Sequence, residues 1–134
     1  MLNDEIASQQ RHARFVQQAV AVGDIWGLKN AAGWCVGAWM NEGNEEHTVM
    51  PFWSDRASAK QCAKDDWSGY VPTVIPLQEF MEEWLPGLAE DGLFVGTNWD
   101  TDLAGVELEP MTLGEELAQA LRKKAAPANE PAAD

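Results

Sequence analysis

The sequence predicts an α+β fold. One domain is expected to combine a mixed, mostly antiparallel sheet of about five to six strands with an N-terminal helix, two interleaved helices and a C-terminal helix. The length of 134 residues suits one domain, and seven tryptophans can fill much of its core. Helical and alternating hydrophobic patterns follow each other in the order α-β-β-β-α-β-α-β-β-α. Early hairpins and later interleaved helices favour the α+β class.

The first helix is predicted over residues 4–22. Asn3 can cap its start, and Gly23 can adopt the left-handed conformation that ends a helix. Arg11 and Arg14 fall on the polar side and are expected to point away from the core. The other side, which is expected to pack on a sheet, carries apolar residues at helical spacing, namely Ile6, Ala13, Phe15, Val16, Ala19 and Val20.

Three strand segments are predicted next, over residues 25–28, 34–40 and 47–53. Turn residues separate the first two, and the acidic loop 41–46 separates the last two. Apolar side chains alternate onto both faces of 34–40, so this strand is expected to be covered on both sides or to be central in the sheet. Pro51 cannot donate to a strand ladder and marks an edge position or the end of its strand.

The stretch from Met50 to Tyr70 contains a strand end, a polar turn and a short helix. Ser54 or Asp55 can cap that helix. The inward side of the helix is expected to consist of Ala59, Cys62, Ala63 and Trp67, of which the small residues allow a close approach to a sheet. Cys62 is therefore expected to serve packing, because an inward thiol is more often inert than nucleophilic.

The second half of the chain is predicted to alternate strands with helices. Its helix at 77–88 has the clearest apolar stripe, and Pro86 is expected to kink or restart the last turn because it lacks an N–H. The strands are expected at 73–75, 93–99 and 106–109.

The last helix is predicted to open with a capping box formed by Thr112 and Glu115. After Lys124 the sequence contains alanine, proline and acidic residues but little that can be buried. We therefore predict a single domain over residues 1–124, followed by a disordered Ala/Pro tail at 125–134.

The composition is strongly acidic. Nine Lys and Arg against 22 Asp and Glu give a formal net charge of −13. Such a charge repels phosphate backbones and anionic lipids, so we expect neither nucleic acid nor a membrane as partner and leave a protein partner open. No apolar run approaches the roughly 20 residues of a membrane span. Two cysteines without CxxC spacing indicate free thiols and a cytoplasmic location.

The sequence contains no pattern typical of metal, nucleotide or nucleophile chemistry. Cys35, Cys62, His12 and His47 are scattered over separate elements, which favours buried cysteines and surface histidines over a metal site. Phosphate-binding glycine patterns and a GxSxG elbow do not occur. We therefore predict no catalytic residue, no metal and no cofactor, and an enzyme is the less favoured class.

Strand ends and turns supply the candidate contact residues, because binding residues gather there. Exposed Trp and Tyr beside Arg are also the residue types that dominate interface hot spots. One group lies within residues 53–70 and the other at 98–100. The predicted binding residues are Trp53, Asp55, Arg56, Trp67, Tyr70, Asn98, Trp99 and Asp100.

The favoured function is that of a non-catalytic binding or adaptor module. One alternative is a small-ligand binder or an unrecognised enzyme at the same place, with Asp55 or Asp100 as acid or base and Arg56 as anion anchor. A concave pocket that joins these groups and contains a carboxylate with a shifted pKa favours this alternative, and a flat or filled surface contradicts it. A second alternative is an immunity-like or nucleic-acid-mimic inhibitor, which the charge of −13 suggests.

The run from Pro51 to Asp100 carries a resemblance to a known family. It contains the elements W-S-D, C-A-K, Y-x-P, W-L-P-G-L and D-G in this order. With IWGLKNAAGWCV before it, this run resembles the bacterial family known as domain of unknown function 2750. The resemblance implies a fold unit and a bacterial, cytoplasmic protein, and it implies no catalytic residues. In layout, the chain is also similar to the enhanced-serine-sensitivity (SseB) type of domain, which favours a small α+β sandwich.

Overall fold

The computed structural model describes residues 2–40, 46–102 and 104–125. The predicted tail beyond residue 125 and most of the predicted loop 41–46 lie outside the described residues. Within them, the helices are α1 Leu2–Val22, α2 Arg56–Gln61, a 3₁₀ turn at Asp65–Trp67, a composite helix made of α3 Leu77–Glu79, a π-helical segment Phe80–Trp84 and α4 Leu85–Glu90, and finally α5 Pro110–Ala125.

The strands divide between two small sheets. The first has the order β2-β1-β5 and the second the order β3-β4-β6-β7. Every pair is antiparallel except β4 with β6, which is parallel. The predicted α+β class with mostly antiparallel pairing is therefore confirmed. The strand bounds are β1 Asp24–Asn30, β2 Gly33–Trp34, β3 Gly37–Met40, β4 Glu46–Phe52, β5 Val71–Pro76, β6 Phe94–Thr97 and β7 Val106–Leu108.

Trp53 joins the two sheets through its backbone. Its N–H donates to the carbonyl of Trp26 at 2.8 Å, and the N–H of Trp26 donates back to the carbonyl of Trp53 at 2.8 Å. The residue after β4 thus pairs with β1, and this backbone pairing connects the two sheets. The predicted single strand 34–40 is interrupted at residues 35–36 for the same reason, since β2 and β3 belong to different sheets.

Two cores form around the first sheet. Ile25 and Ile75 belong to the larger core with α1, the composite helix and α5, while Leu28 belongs to a smaller core with α2. The strand pattern therefore has apolar residues on both faces. The smaller core consists of Leu28, Cys35, Trp53, Ala59, Cys62 and Trp67, with Trp26, Ala63 and Tyr70 packed against it.

Of the two helix features predicted from proline and capping signals, the restart at Pro86 is confirmed and the start of the last helix at Thr112 is wrong. The helix that contains Pro86 continues to Glu90 through a π-helical segment, in which the N–H of Leu85 donates to the carbonyl of Phe80. A π-helical bulge is a common way to accommodate a break in the helical ladder. The last helix begins at Pro110 and not at Thr112, because proline suits the first helical position, where no N–H is needed.

The outer edge of β5 is poorly suited to pairing with another strand. The backbone of Trp26 bonds to Trp53, so Trp26 and its partner Val74 form a non-hydrogen-bonded pair. By alternation, Val74, Pro72 and Pro76 direct their backbone nitrogens to the outer edge. Two of these three residues are prolines without an N–H, which protects the edge against pairing. Among the described residues, no helix has the length and hydrophobicity to cross a membrane.

Trp99 fills a slot between two glycines. A Cβ placed on Gly96 lies 2.4–2.7 Å from three atoms of the Trp99 indole, and a Cβ on Gly105 lies 2.4 Å from its Cδ1. The indole nitrogen donates to the carbonyl of Val106 at 2.8 Å. The two glycines therefore allow the ring to lie flat against β6 and β7.

We predict that Gly96→Ala lowers the free energy of unfolding by about 1–3 kcal/mol, because the added methyl group overpacks the Trp99 slot. The matched control is Gly87→Ala in α4, where a Cβ has nothing within 4 Å and alanine favours the helix. Urea unfolding of both variants measures the difference. A Gly96→Ala protein at least as stable as Gly87→Ala contradicts this packing.

Candidate functional site

The two halves of the predicted site meet where β4 and β6 end. We call residues 53–55 and 98–100 together the corner. Because β4 and β6 are parallel neighbours, their carboxyl ends lie at the same edge of the sheet. The indole N–H of Trp53 donates to the carbonyl of Trp99 at 3.0 Å, and the N–H of Asn98 donates to the carbonyl of Phe52 at 2.9 Å.

The side chain of Asn98 makes hydrogen bonds that hold the corner together, and we call it the Asn98 hub. Asn98 has a backbone φ of 47°, a left-handed conformation that asparagine tolerates better than most residues. Its side-chain oxygen accepts from the Ser54 N–H at 2.8 Å, and its amide nitrogen donates to the Ser54 hydroxyl at 3.0 Å and to the carbonyl of Arg11 at 3.2 Å. Only 2% of Asn98 is exposed, so these bonds replace water completely.

Asp55 caps α2, as one of the two predicted candidates. One carboxylate oxygen accepts from the Ser58 N–H at 3.0 Å and the other accepts from the Ser58 hydroxyl at 2.8 Å. The carboxylate thereby satisfies a helix-end donor that lacks a partner in the helix. Asp55 is thus engaged in holding α2, and Arg56 is exposed at the start of that helix.

The tryptophans of the predicted site are not exposed, which confirms the inward position predicted for Trp67 and answers the question that the sequence left open for Trp53 and Trp99. Trp53 is 0%, Trp99 4% and Trp67 9% exposed, and Tyr70 is half-buried against the smaller core. The reason is the smaller core under α2. It covers a face of the first sheet that would be exposed if the domain had only the larger core. The contact role predicted for these residues stays a prediction, but their rings lie inside the fold.

Arg11 is part of the site, although it was expected to point into solvent. Its Nε donates to the carbonyl of Asn98 at 3.1 Å, and its Nη2 donates to the hydroxyl of Ser8 at 3.2 Å and to the carbonyl of Ala104 at 3.3 Å. Nη2 also lies 3.6 Å from a carboxylate oxygen of Asp100. The polar side of α1 therefore packs against the loop after β6.

A pocket of about 230 Å³ opens between α1, α2 and this loop, and we call it the corner pocket. It contains two of the nine basic residues of the chain. Arg14 lies one helical turn after Arg11 and is exposed, and it has no ion pair or hydrogen bond within the described part of the chain. The pocket is lined by Arg11, Arg14, Ser58, Gln61, Cys62, Asn98, Trp99, Asp100 and Thr101.

The corner pocket includes three of the predicted residues, Asn98, Trp99 and Asp100, whereas Arg56 and Asp55 do not line it. Sequence reasoning missed Arg11 and Arg14. Their spacing of three residues on one helix face was the available signal, since such residues are neighbours on the helix surface. What the pattern could not indicate is that this face meets a loop.

His12 fixes α1 on the other side. Its Nδ1 is 2.8 Å from the hydroxyl of Thr97, and its Nε2 is 2.5 Å from a carboxylate oxygen of Glu116. With 9% exposure, His12 is buried, which corrects the expectation of surface histidines. His47 is half-buried, is hydrogen-bonded to Glu107 and stacks on Phe94. In the described ranges, no group of three or more His, Cys, Asp or Glu is placed to hold a metal ion.

The carboxylate of Asp100 is held by its own loop. Its Oδ1 accepts from the N–H of Asp102 at 2.9 Å and from the N–H of Ala104 at 3.1 Å, while Arg11 lies beside Oδ2. Backbone donors of this kind fix the direction of the carboxylate. Asp100 therefore shapes the wall of the corner pocket.

Both cysteines are buried thiols. The Sγ of Cys62 lies 3.3 Å from the carbonyl of Asp100 and 3.6 Å from that of Trp99, to which the thiol donates. Burial raises the pKa of Cys62 to about 11, with the charge of Asp100 adding to the rise. Burial likewise raises the pKa of Cys35 to about 12. Neither thiol forms the nucleophilic thiolate at neutral pH.

The fold and the corner define a small α+β domain with a pocket at the carboxyl ends of two parallel strands. A family model described as "Protein of unknown function (DUF2750)" matches residues 12–117. The chain belongs to this family, and the family resemblance predicted from the sequence is confirmed. No curated protein and no solved structure matches the chain. The similarity in layout to the enhanced-serine-sensitivity type stays a prediction.

We predict that both thiols of the folded protein resist alkylation at pH 8, because a pKa of about 11 leaves roughly one thiol in a thousand ionised. The rate of N-ethylmaleimide labelling, followed by peptide mass spectrometry, should be at least about 100-fold below that of the protein unfolded in guanidinium. It should rise with pH up to about pH 11 for Cys62. Labelling within threefold of the unfolded rate contradicts a buried, protonated Cys62.

Proposed function

We propose that this protein is a non-catalytic binding module that takes a small ligand in the corner pocket. The observation that carries the proposal is the state of Arg14. It is a cation without an ion pair in the described structure, and it lines a concave pocket of about 230 Å³. Pockets with a few convergent polar groups are the usual places of ligand binding.

The groups around Arg14 are already engaged, which supports binding to a preformed pocket. Arg11 and Asp100 are held by backbone carbonyls and backbone N–H groups of the loop after β6. Asn98 is buried and bonded to Ser54. A site whose walls are fixed before the ligand arrives spends little free energy on ordering itself.

The same contacts argue for binding and against chemistry at this pocket. The only thiol in its lining, Cys62, is protonated at neutral pH because burial raises its pKa. A nucleophile or general base needs a partner that takes or gives a proton within hydrogen-bond reach. Asp100 instead accepts from two backbone N–H groups and faces a guanidinium that stays charged.

A small ligand fits better than a broad protein contact through the tryptophans. The indoles of Trp53, Trp67 and Trp99 pack inside the fold, so they offer a partner no hot-spot surface. A protein partner that enters the pocket with a single side chain or a chain end is compatible with the proposal.

Capture of small molecules from a bacterial extract tests the proposal. Immobilised protein is exposed to the fraction below about 1 kDa, washed and unfolded, and the released molecules are identified by mass spectrometry. We expect at least one compound to be enriched by the protein and lost with Arg14→Gln, because the variant removes the unpaired guanidinium. The compound should leave with unchanged mass.

Arg122→Gln is the matched control, since Arg122 is an exposed arginine in the last turn of α5, away from the corner. It should retain the compound. If no compound depends on Arg14, or if the bound compound is released as a different product, the proposal of a non-catalytic binding module at this pocket is wrong.

A further inference from the structure

We infer that the corner pocket recognises a carboxylate, which pairs with Arg14. The inference rests on the proposed function and adds the chemical class of the ligand. A guanidinium presents five N–H donors in a fixed plane and no acceptor, so its complement is a planar anion with two acceptor oxygens. No group in the described structure supplies that anion to Arg14.

The two arginines of the pocket differ in their contacts, and this difference supports the assignment. Arg11 is engaged through its Nε and Nη2 by the carbonyls of Asn98 and Ala104, the hydroxyl of Ser8 and the carboxylate of Asp100. Arg14 lies on the same helix face and has none of these partners. Arg11 therefore forms part of the pocket wall, and Arg14 is available to bind the ligand.

Asp100 does not cancel the charge of Arg14. Its carboxylate is neutralised locally by the guanidinium of Arg11 and by the N–H groups of Asp102 and Ala104. Arg11, Arg14 and Asp100 are the ionised groups in the lining of the pocket, and their charges sum to +1. A single negative charge on the ligand balances this site.

The charge of the whole protein favours a carboxylate over a phosphate. The net charge of −13 repels anions in proportion to their own charge. A phosphate group carries about −1.5 to −2 at neutral pH, whereas a carboxylate carries one charge and still binds the arginine through both oxygens. The carboxylate gains the same pair of hydrogen bonds against a smaller repulsion.

The dimensions of the pocket limit the rest of the ligand. About 230 Å³ is below the range of roughly 300–1,000 Å³ that is usual for drug-sized ligands. Gln61 and Thr101, both exposed, add an amide and a hydroxyl to the rim. A short free acid and the C-terminal residue of a peptide share this chemistry.

Titration of the ¹⁵N-labelled protein with two matched pairs of probes, followed by NMR, tests the inference. The pairs are propionate with propionamide, and N-acetyl-alanyl-alanine with its C-terminal amide; inorganic phosphate is a fifth probe. We expect the acid of at least one pair to shift the signals of Thr101, Gln61 and the Arg14 Nε–H at low salt. Its amide should bind at least about tenfold more weakly, because it lacks the charge.

The variants and the choice of pair separate the possible outcomes. Arg14→Gln should weaken the acid at least about tenfold, and Arg122→Gln should leave its binding unchanged. Tighter binding of propionate identifies the ligand as a short free acid, and tighter binding of N-acetyl-alanyl-alanine identifies it as the C-terminal end of a peptide. Equal binding of acid and amide, an unchanged Arg14→Gln, or tighter binding of phosphate overturns the inference.

Failure of this inference is distinguishable from failure of the proposed function. If no probe binds while the extract still yields a compound that depends on Arg14, the carboxylate assignment is wrong and the binding function stands. If neither the probes nor the extract yield binding that depends on Arg14, both are wrong.

Discussion

The rest of the structure depends on one buried side chain, that of Asn98, which bonds to the backbone of the chain after β4. Its oxygen accepts from the Ser54 N–H, and its amide nitrogen reaches the carbonyl of Arg11 on α1. One side chain thus ties the end of β4, the end of β6 and the first helix together. Trp53, which precedes Ser54, bridges the two sheets with its backbone. Loss of the asparagine amide leaves buried donors and acceptors without partners, which costs more than the bonds contribute.

The second core and the corner pocket follow from this arrangement. Because the chain after β4 is held at β1, α2 is placed over the first sheet, where Ala59 and the C-cap residue Cys62 pack with Trp53 in the smaller core. The Asn98 hub also holds the loop after β6 against α1. Arg11 bonds to this loop, and in the described structure Arg14 lines the corner pocket without bonding to it. The aromatic side chains therefore supply stability, and our proposal assigns recognition to the polar residues at the rim of the corner. This separation suits a strongly acidic domain in which positive charge is scarce.

Much of the fold and part of the site could be predicted from the sequence, because local patterns carry that information. Capping by Asp55 and the helix boundary at Gly23 rest on local signals, whereas the meeting of residues 53–55 with 98–100 rests on the parallel pairing of β4 with β6, which the sequence left open. The burial of Trp53 rests instead on the division of strands between two sheets, which periodicity does not encode. The contact of Arg11 was missed because a helical pattern separates polar from apolar sides and does not tell whether the polar side meets solvent or a loop.

Amide hydrogen exchange at Ser54 tests most directly whether the corner is a closed part of the core. Ser54 lies outside the regular strands and helices, and its N–H is bonded to a side-chain oxygen at 2.8 Å. If the Asn98 hub holds the ends of β4 and β6 and helix α1 together, this amide opens only when the whole domain unfolds. NMR should then find its exchange within about tenfold of the slowest amides of β6. Exchange of the Ser54 amide as fast as that of the exposed Thr101 contradicts the hub and the fixed pocket built on it.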